Sequence, residues 1–128
     1  MQIISSKLNR VMPEPEIAPF CPRFQRGVEV IGRRWTGAIV RALMGGCRRF
    51  NEIADTVPGI SDRLLSERLK ELEAEDIVER RVVPSTPVRI DYRLTEKGRD
   101  LLPVIEALGA WAERWVPLPG PGIGGNPP

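Results

Sequence analysis

Near the middle of the chain four polar side chains recur at helical spacing, Arg63, Ser66, Glu67 and Lys70, at i, i+3, i+4 and i+7. Leu65, Leu69 and Leu72 keep the same period on the opposite side, so one face of the segment is apolar and the other can make hydrogen bonds. Arg63, Ser66 and Lys70 can donate to phosphate oxygens or base edges. Glu67 is either an acceptor in the same contact or the helical partner of Arg63 or Lys70. Four further acids, Glu71, Glu73, Glu75 and Asp76, cluster toward its C-terminal end, away from the N-terminal half that would approach a polyanion.

Two thiols are the other reactive groups. Cys21 precedes Pro22 at the start of a helical pattern, with Arg23 and Arg26 close behind. The free N–H groups of a helix start and nearby guanidinium groups both favour a thiolate, which makes Cys21 the first candidate for a regulatory thiol. Cys47, beside Arg48 and Arg49, is the second. The plain alternative is that each is a small apolar residue. Two cysteines are too few for a disulfide-built fold. The chain has no His, which excludes Ser-His and Cys-His nucleophiles and most catalytic zinc sites. No phosphate-binding loop occurs, and the glycines at 120–125 have no helix after them. The expectation is a protein that is not an enzyme and uses no metal and no cofactor.

Charge adds to the polyanion reading. The net charge is only +2, but 16 of the 19 basic residues are Arg, whose fork suits phosphates and guanine edges. Residues 20–49 contain seven Arg against one acid, Glu29, whereas residues 50–116 are net acidic. Arg48, Arg49 and Asn51 stand where a short helix begins, a place where backbone N–H groups and Arg side chains can hold a phosphate together. Arg81, Ser85, Thr86 and Arg89 lie on or beside a hairpin tip suited to backbone or minor-groove contact.

The elements that must position these groups can be read from period and punctuation. Prolines at 13, 15 and 19 make residues 1–19 an extended, flexible arm, and residues 117–128, with five Pro and four Gly, read as a disordered tail. Residues 20–116 are the folded unit. Phe24, Val28 and Ile31 mark a first helix ended by Gly32; Trp35, Ile39, Val40 and Leu43 mark a second, stopped by Gly45-Gly46. A third runs from about Phe50 to Val57, Pro58-Gly59 breaks it, and Ser61 caps the fourth. Two β-branched runs follow, Ile77–Val83 and Val88–Leu94, joined by a Pro-Ser-Thr-Pro turn. Thr95 caps a long last helix with Leu101, Ile105, Leu108, Ala112 and Trp115 in one stripe and Pro103 as an expected kink. The fold class is mainly α with a two-stranded β wing, a winged helix-turn-helix in which the fourth helix enters the major groove.

Apolar residues exceed what one small core needs. Leu101, Leu102, Val104, Ile105, Leu108, Trp111 and Trp115, with Phe24, Val28 and Ile31, predict that the terminal helices form a homodimer interface. No apolar run is long enough to span a bilayer and residues 1–10 lack a secretory h-region, so the expected location is the cytoplasm, with no membrane partner.

The motifs Cys21-Pro22, Ile31-Gly32-Arg33-Arg34-Trp35-Thr36, Arg48-Arg49-Phe50-Asn51-Glu52-Ile53 and Val57-Pro58-Gly59-Ile60-Ser61 occur in order. Leu65 to Glu73, Tyr92-Arg93-Leu94-Thr95-Glu96-Lys97-Gly98-Arg99 and Trp111 complete the run. Together they resemble the HxlR-type, MarR-like bacterial transcriptional regulators over nearly all of residues 20–116. The resemblance implies a dimeric, sequence-specific regulator of double-stranded DNA, expected to be a repressor, under control of a thiol or a small-molecule or electrophile effector. It places Cys21 at the sensing position of the redox-responsive members. Arg34 replaces the family's lysine before the Trp, and Cys47 stands where a Pro or small residue is common. The competing reading is a winged-helix module for protein interaction without sequence-specific DNA binding.

Overall fold

The computed structural model describes residues 16–119. Along them run α1 (Pro22–Ile31), α2 (Thr36–Met44), α3 (Phe50–Thr56), α4 (Asp62–Ala74), β1 (Val78–Val83), β2 (Arg89–Leu94), α5 (Glu96–Arg99) and α6 (Leu102–Trp115). Most of the expected arm, residues 1–15, and most of the expected tail, residues 120–128, lie outside the described residues.

Each helix start has a chemical cause. Pro22 opens α1, where a missing N–H costs nothing. The Glu52 carboxylate accepts from the N–H groups of Arg48 at 2.7 Å and Arg49 at 3.0 Å and so satisfies the orphan donors ahead of α3. Ser61 Oγ accepts from Leu64 N–H at 3.1 Å and caps α4. Trp35, ahead of α2, has φ 76°, an uncommon left-handed conformation for a bulky residue. Two contacts surround that turn. Arg68 Nε donates to the Arg34 carbonyl at 2.9 Å, and Gly59, itself at φ 93°, approaches the Trp35 ring so closely that an added Cβ would sit 3.4 Å away.

The long last helix expected from Thr95 is instead two helices. Thr95 Oγ caps only α5, accepting from Gly98 N–H at 3.0 Å, and the chain turns at Asp100–Leu101 before α6. Pro103 therefore does not kink a helix interior. It falls in the first turn of α6, where its ring has no preceding carbonyl to clash with.

The core is formed by Ile39, Val40 and Leu43 of α2, Ile53 of α3, Leu65, Leu69 and Leu72 of α4, with Ile77, Val78, Leu94 and Ile105 closing it. The strands pair antiparallel from Val78 with Leu94 to Val83 with Arg89. β2 is tied to the α3 entrance by Tyr92 N–H, which donates to the Arg48 carbonyl at 2.7 Å. α1 has no fully buried residue; Val30 and Ile31 rest partly on the core.

Candidate nucleic-acid interface

α3, the Pro58-Gly59 turn and α4 form the helix-turn-helix, and α4 is two-sided as its spacing predicts. Leu65, Leu69 and Leu72 are at most 2% exposed. Arg63, Glu67 and Lys70 are exposed on the other face, with Ser66 half-buried between them. Arg63 shows 87% of its side chain to solvent, and its Nε lies 3.4 Å from a Glu67 carboxylate oxygen. This exposed i, i+4 pair is weakly held, so it orients Arg63 without removing it from a nucleic-acid partner. Arg68, unassigned from sequence, is a structural residue: 9% exposed, it joins the Arg34 carbonyl to the Glu71 carboxylate.

Outside α4 the candidate contacts separate. Arg49 and Asn51 are exposed at the start of α3. Arg48 is turned inward: its Nη1 donates to the carbonyls of Leu43 at 3.1 Å and Cys47 at 2.8 Å. On the hairpin, Arg81 is exposed and lies 3.4 Å from Glu79. Ser85 Oγ donates to the Pro87 carbonyl at 2.6 Å, which occupies it within the turn, and Thr86 is exposed beside it. Arg89 faces Asp91 at 3.3 Å, with its Nε buried and its geometry too poor for a hydrogen bond. Arg89 is thus mainly the counter-charge of a buried carboxylate. Arg80 and Arg93 are exposed wing residues that sequence reading left out; for Arg93 its place in the charged half of the β2 alternation was the available sign, whereas Arg80 pairs with Tyr92 on the other face.

Cys21 is exposed at the N-cap of α1, and its side chain makes no capping bond. Arg26, expected to favour its thiolate, is paired with Glu75 at the C-cap of α4 and lies 3.8 Å from Glu29. Cys47 is half-buried at a cavity of about 580 Å³ walled by Trp35, Arg41, Thr56 and Pro58, with Sγ 3.4 Å from the Thr56 hydroxyl.

The apolar residues assigned to a dimer face divide in two. Ile105 is 8% exposed and belongs to the core, and Leu101 and Ile31 pack partly against it. Ile105 and Leu101 belong to the monomer because the turn at Asp100–Leu101 carries the start of α6 across α2, and Ile31 because the end of α1 packs on α2. Phe24, Val28, Leu102, Val104, Leu108, Trp111 and Trp115 remain exposed, each by 44% or more. Ile17, Phe20, Val116 and Leu118 extend this exposed apolar set beyond the residues chosen from sequence. No helix among the described residues is long and apolar enough to cross a membrane.

The HxlR-like helix-turn-helix family matches residues 30–119. The uncharacterized HTH-type transcriptional regulator YvaP of Bacillus subtilis is 49% identical over 96 residues, 75% of this chain and 89% of its own. The HTH-type transcriptional regulator YodB of the same organism is 48% identical over 95 residues, 74% of this chain and 85% of its own. Reduced YodB superposes with a TM-score of 0.69 at 47% identity, over 76% of this chain and 95% of that one, and YodB structures also exist in diamide-treated and quinone-bound forms. The redox regulator HypR in its oxidized form gives a TM-score of 0.71 at 37% identity, over 77% of this chain and all of the other. With a buried leucine stripe, an outward polar face and a two-stranded wing in the same order, the chain belongs to the HxlR-like family of DNA-binding, winged helix-turn-helix transcriptional regulators.

Proposed function

We propose that the protein is a homodimeric repressor that reads a two-fold symmetric operator through α4 and is released by modification of Cys21. The observation that carries the reading is the division of α4, whose Leu65, Leu69 and Leu72 are buried while Arg63, Glu67 and Lys70 stand in solvent. A helix so divided, with Glu71 and Glu73 in its last turn, offers Arg63 and Ser66 as donors to base edges from its N-terminal half. The exposed Phe24, Val28, Leu108, Trp111 and Trp115 supply an apolar face for a second copy. Two-fold pairing sets the two α4 helices about 34 Å apart or a multiple of that, one DNA turn.

Cys21 suits the control step because it is exposed at a helix start and its side chain makes no capping bond. YodB, with its diamide-treated and quinone-bound forms, and HypR, a redox regulator, supply the analogy. A Cys21 thiolate adds to a quinone ring to give a thioether; the hydrogen on the attacked ring carbon moves to one oxygen and a proton from water reaches the other, leaving a hydroquinone. Alternatively, two thiols lose two electrons and two protons to diamide and form a disulfide.

Capture of sheared genomic DNA by the purified protein, followed by footprinting, tests the reading. A protected site with two-fold symmetry is expected, and uniform binding to all fragments would replace it with a protein-interaction role. Titration of that complex with diamide or a quinone should release wild type but not Cys21→Ser. Equal release of both would move control away from Cys21.

A further inference from the structure

The turn between α1 and α2 holds a bulky residue in a conformation it seldom adopts, and two parts of the helix-turn-helix keep it there. Trp35 has φ 76°. The carbonyl just before it, that of Arg34, accepts from Nε of the nearly buried Arg68 of α4 at 2.9 Å. The half-buried Trp35 ring rests on the core and reaches Gly59, where an added Cβ would lie 3.4 Å from it. Gly59 stands two residues ahead of Ser61, the cap of α4. A backbone conformation of this kind persists only where the surroundings over-determine it, and it directs attention to the side chains it positions.

The side chain set out by this turn is Arg34. Its guanidinium carbon lies 5.1 Å from the centre of the Trp35 ring, a cation over an aromatic face. Arg34 is exposed, and among the described residues no ion pair involves it. Its neighbour Arg33 is the contrast, with two bonds of 2.8 Å to Glu71. Arg33 therefore fastens α1 to α4, whereas Arg34 keeps its charge for a partner outside the chain. Stacking on the ring restricts the guanidinium before that partner arrives, so less freedom is lost on binding.

We propose that Arg34 holds a phosphate of the DNA backbone beside the groove that α4 enters. The assignment rests on α4 as the reading helix, because α4 and its turn are what fix Arg34 in place. Arg68 ties its carbonyl to α4, and Trp35 ties its guanidinium to the turn that starts α4, so Arg34 moves with the reading face. It lies beside that helix rather than on the outward face with Arg63, Ser66 and Lys70, which suits a phosphate oxygen and not a base edge. Such a contact sets the angle at which α4 meets the duplex and carries no sequence information. Neither α3 nor the wing supplies it.

The test uses the full chain and a fluorescein-labelled duplex of about 30 base pairs and arbitrary sequence, with Kd read by anisotropy from about 50 to 200 mM KCl. Arg34→Gln should weaken binding by about 5-fold and flatten the slope of log Kd against log salt by about one for each bound copy. Arg34→Lys should keep the wild-type slope, since the charge remains. Arg41→Gln removes the same charge from an exposed arginine in the last turn of α2, and should leave the slope unchanged. Both Gln variants should melt as wild type does. An Arg34→Gln protein with the wild-type slope overturns the proposal. So does an Arg41→Gln protein that loses as much, since net charge alone then accounts for both. A wild type that binds no duplex overturns the reading of α4 together with this contact.

Discussion

Glu52 accepts from the Arg48 and Arg49 backbone N–H groups, and these two bonds hold its carboxyl below the usual glutamate range. A carboxyl with a depressed folded-state pKa adds stability above its unfolded pKa and loses it as pH falls through the folded value. Glu52→Ala should therefore be less stable than wild type at neutral pH, and urea unfolding at successively lower pH should show the gap closing. A gap independent of pH would mean that the capping bonds contribute nothing. On the reading face, Arg63→Ala should weaken operator binding by ~1–3 kcal/mol and unrelated DNA by less, as measured by fluorescence anisotropy on both duplexes. Equal losses would reduce Arg63 to a phosphate contact. Arg89 has a different sensitivity. Removing it leaves the 6%-exposed Asp91 without its nearest cation, so Arg89→Ala should lower folding stability by about 1–3 kcal/mol, whatever it does to DNA. The sequence places Arg89 and Asp91 two residues apart on one strand, and only the fold shows that Asp91 is buried.

At the scale of elements, α5 depends on one close approach. A Cβ at Gly98 would sit 2.2 Å from the Ile77 carbonyl oxygen, which already accepts from Thr95 N–H at 3.0 Å. Backbone must move to admit a methyl group, so Gly98→Ala should cost about 3 kcal/mol in urea denaturation, and a loss under half of that would show the contact can yield. Across the molecule α1 is fastened to α4 by charge more than by burial. Arg33 makes a two-pronged contact with Glu71, both bonds at 2.8 Å, and Arg26 pairs with Glu75. Glu71→Gln should raise amide exchange in α1 and leave the α4 core amides protected, with about 1 M salt reproducing the effect in wild type. Cys21 begins the helix so fastened, which ties the proposed sensor to the reading helix through Arg26 and Arg33. Periodicity places both helices but says nothing of this link, since Arg33 and Glu71 stand far apart in sequence.

For the whole molecule the exposed apolar set is the governing feature. Trp111 and Trp115 are 58% and 62% exposed on α6, a state that a second copy of the chain would relieve. Light scattering at tens of micromolar should give the mass of a dimer, and Trp111→Glu should give a monomer that keeps its helical circular dichroism and loses operator affinity by at least ~10-fold. A wild-type monomer at that concentration would remove the dimer from the proposal.

Local patterns carried the order of elements in this protein, because caps and breakers act within a few residues. Ser61, Thr95 and the Pro58-Gly59 turn each set a boundary by bonds or dihedrals that neighbours alone decide. The leucine period made α4 two-sided, and so the outward position of Arg63 and Lys70 could be read before any fold was known. Long-range contacts decided the rest. Whether an apolar residue of α6 is core, like Ile105, or open surface, like Leu108, depends on where the turn after α5 directs the helix, and spacing does not encode that angle. Whether an arginine fastens one element to another, as Arg33 does with Glu71 and Arg68 with the Arg34 carbonyl, depends on which carboxylate or carbonyl the tertiary fold brings within about 4 Å, since these partners stand far apart in the chain.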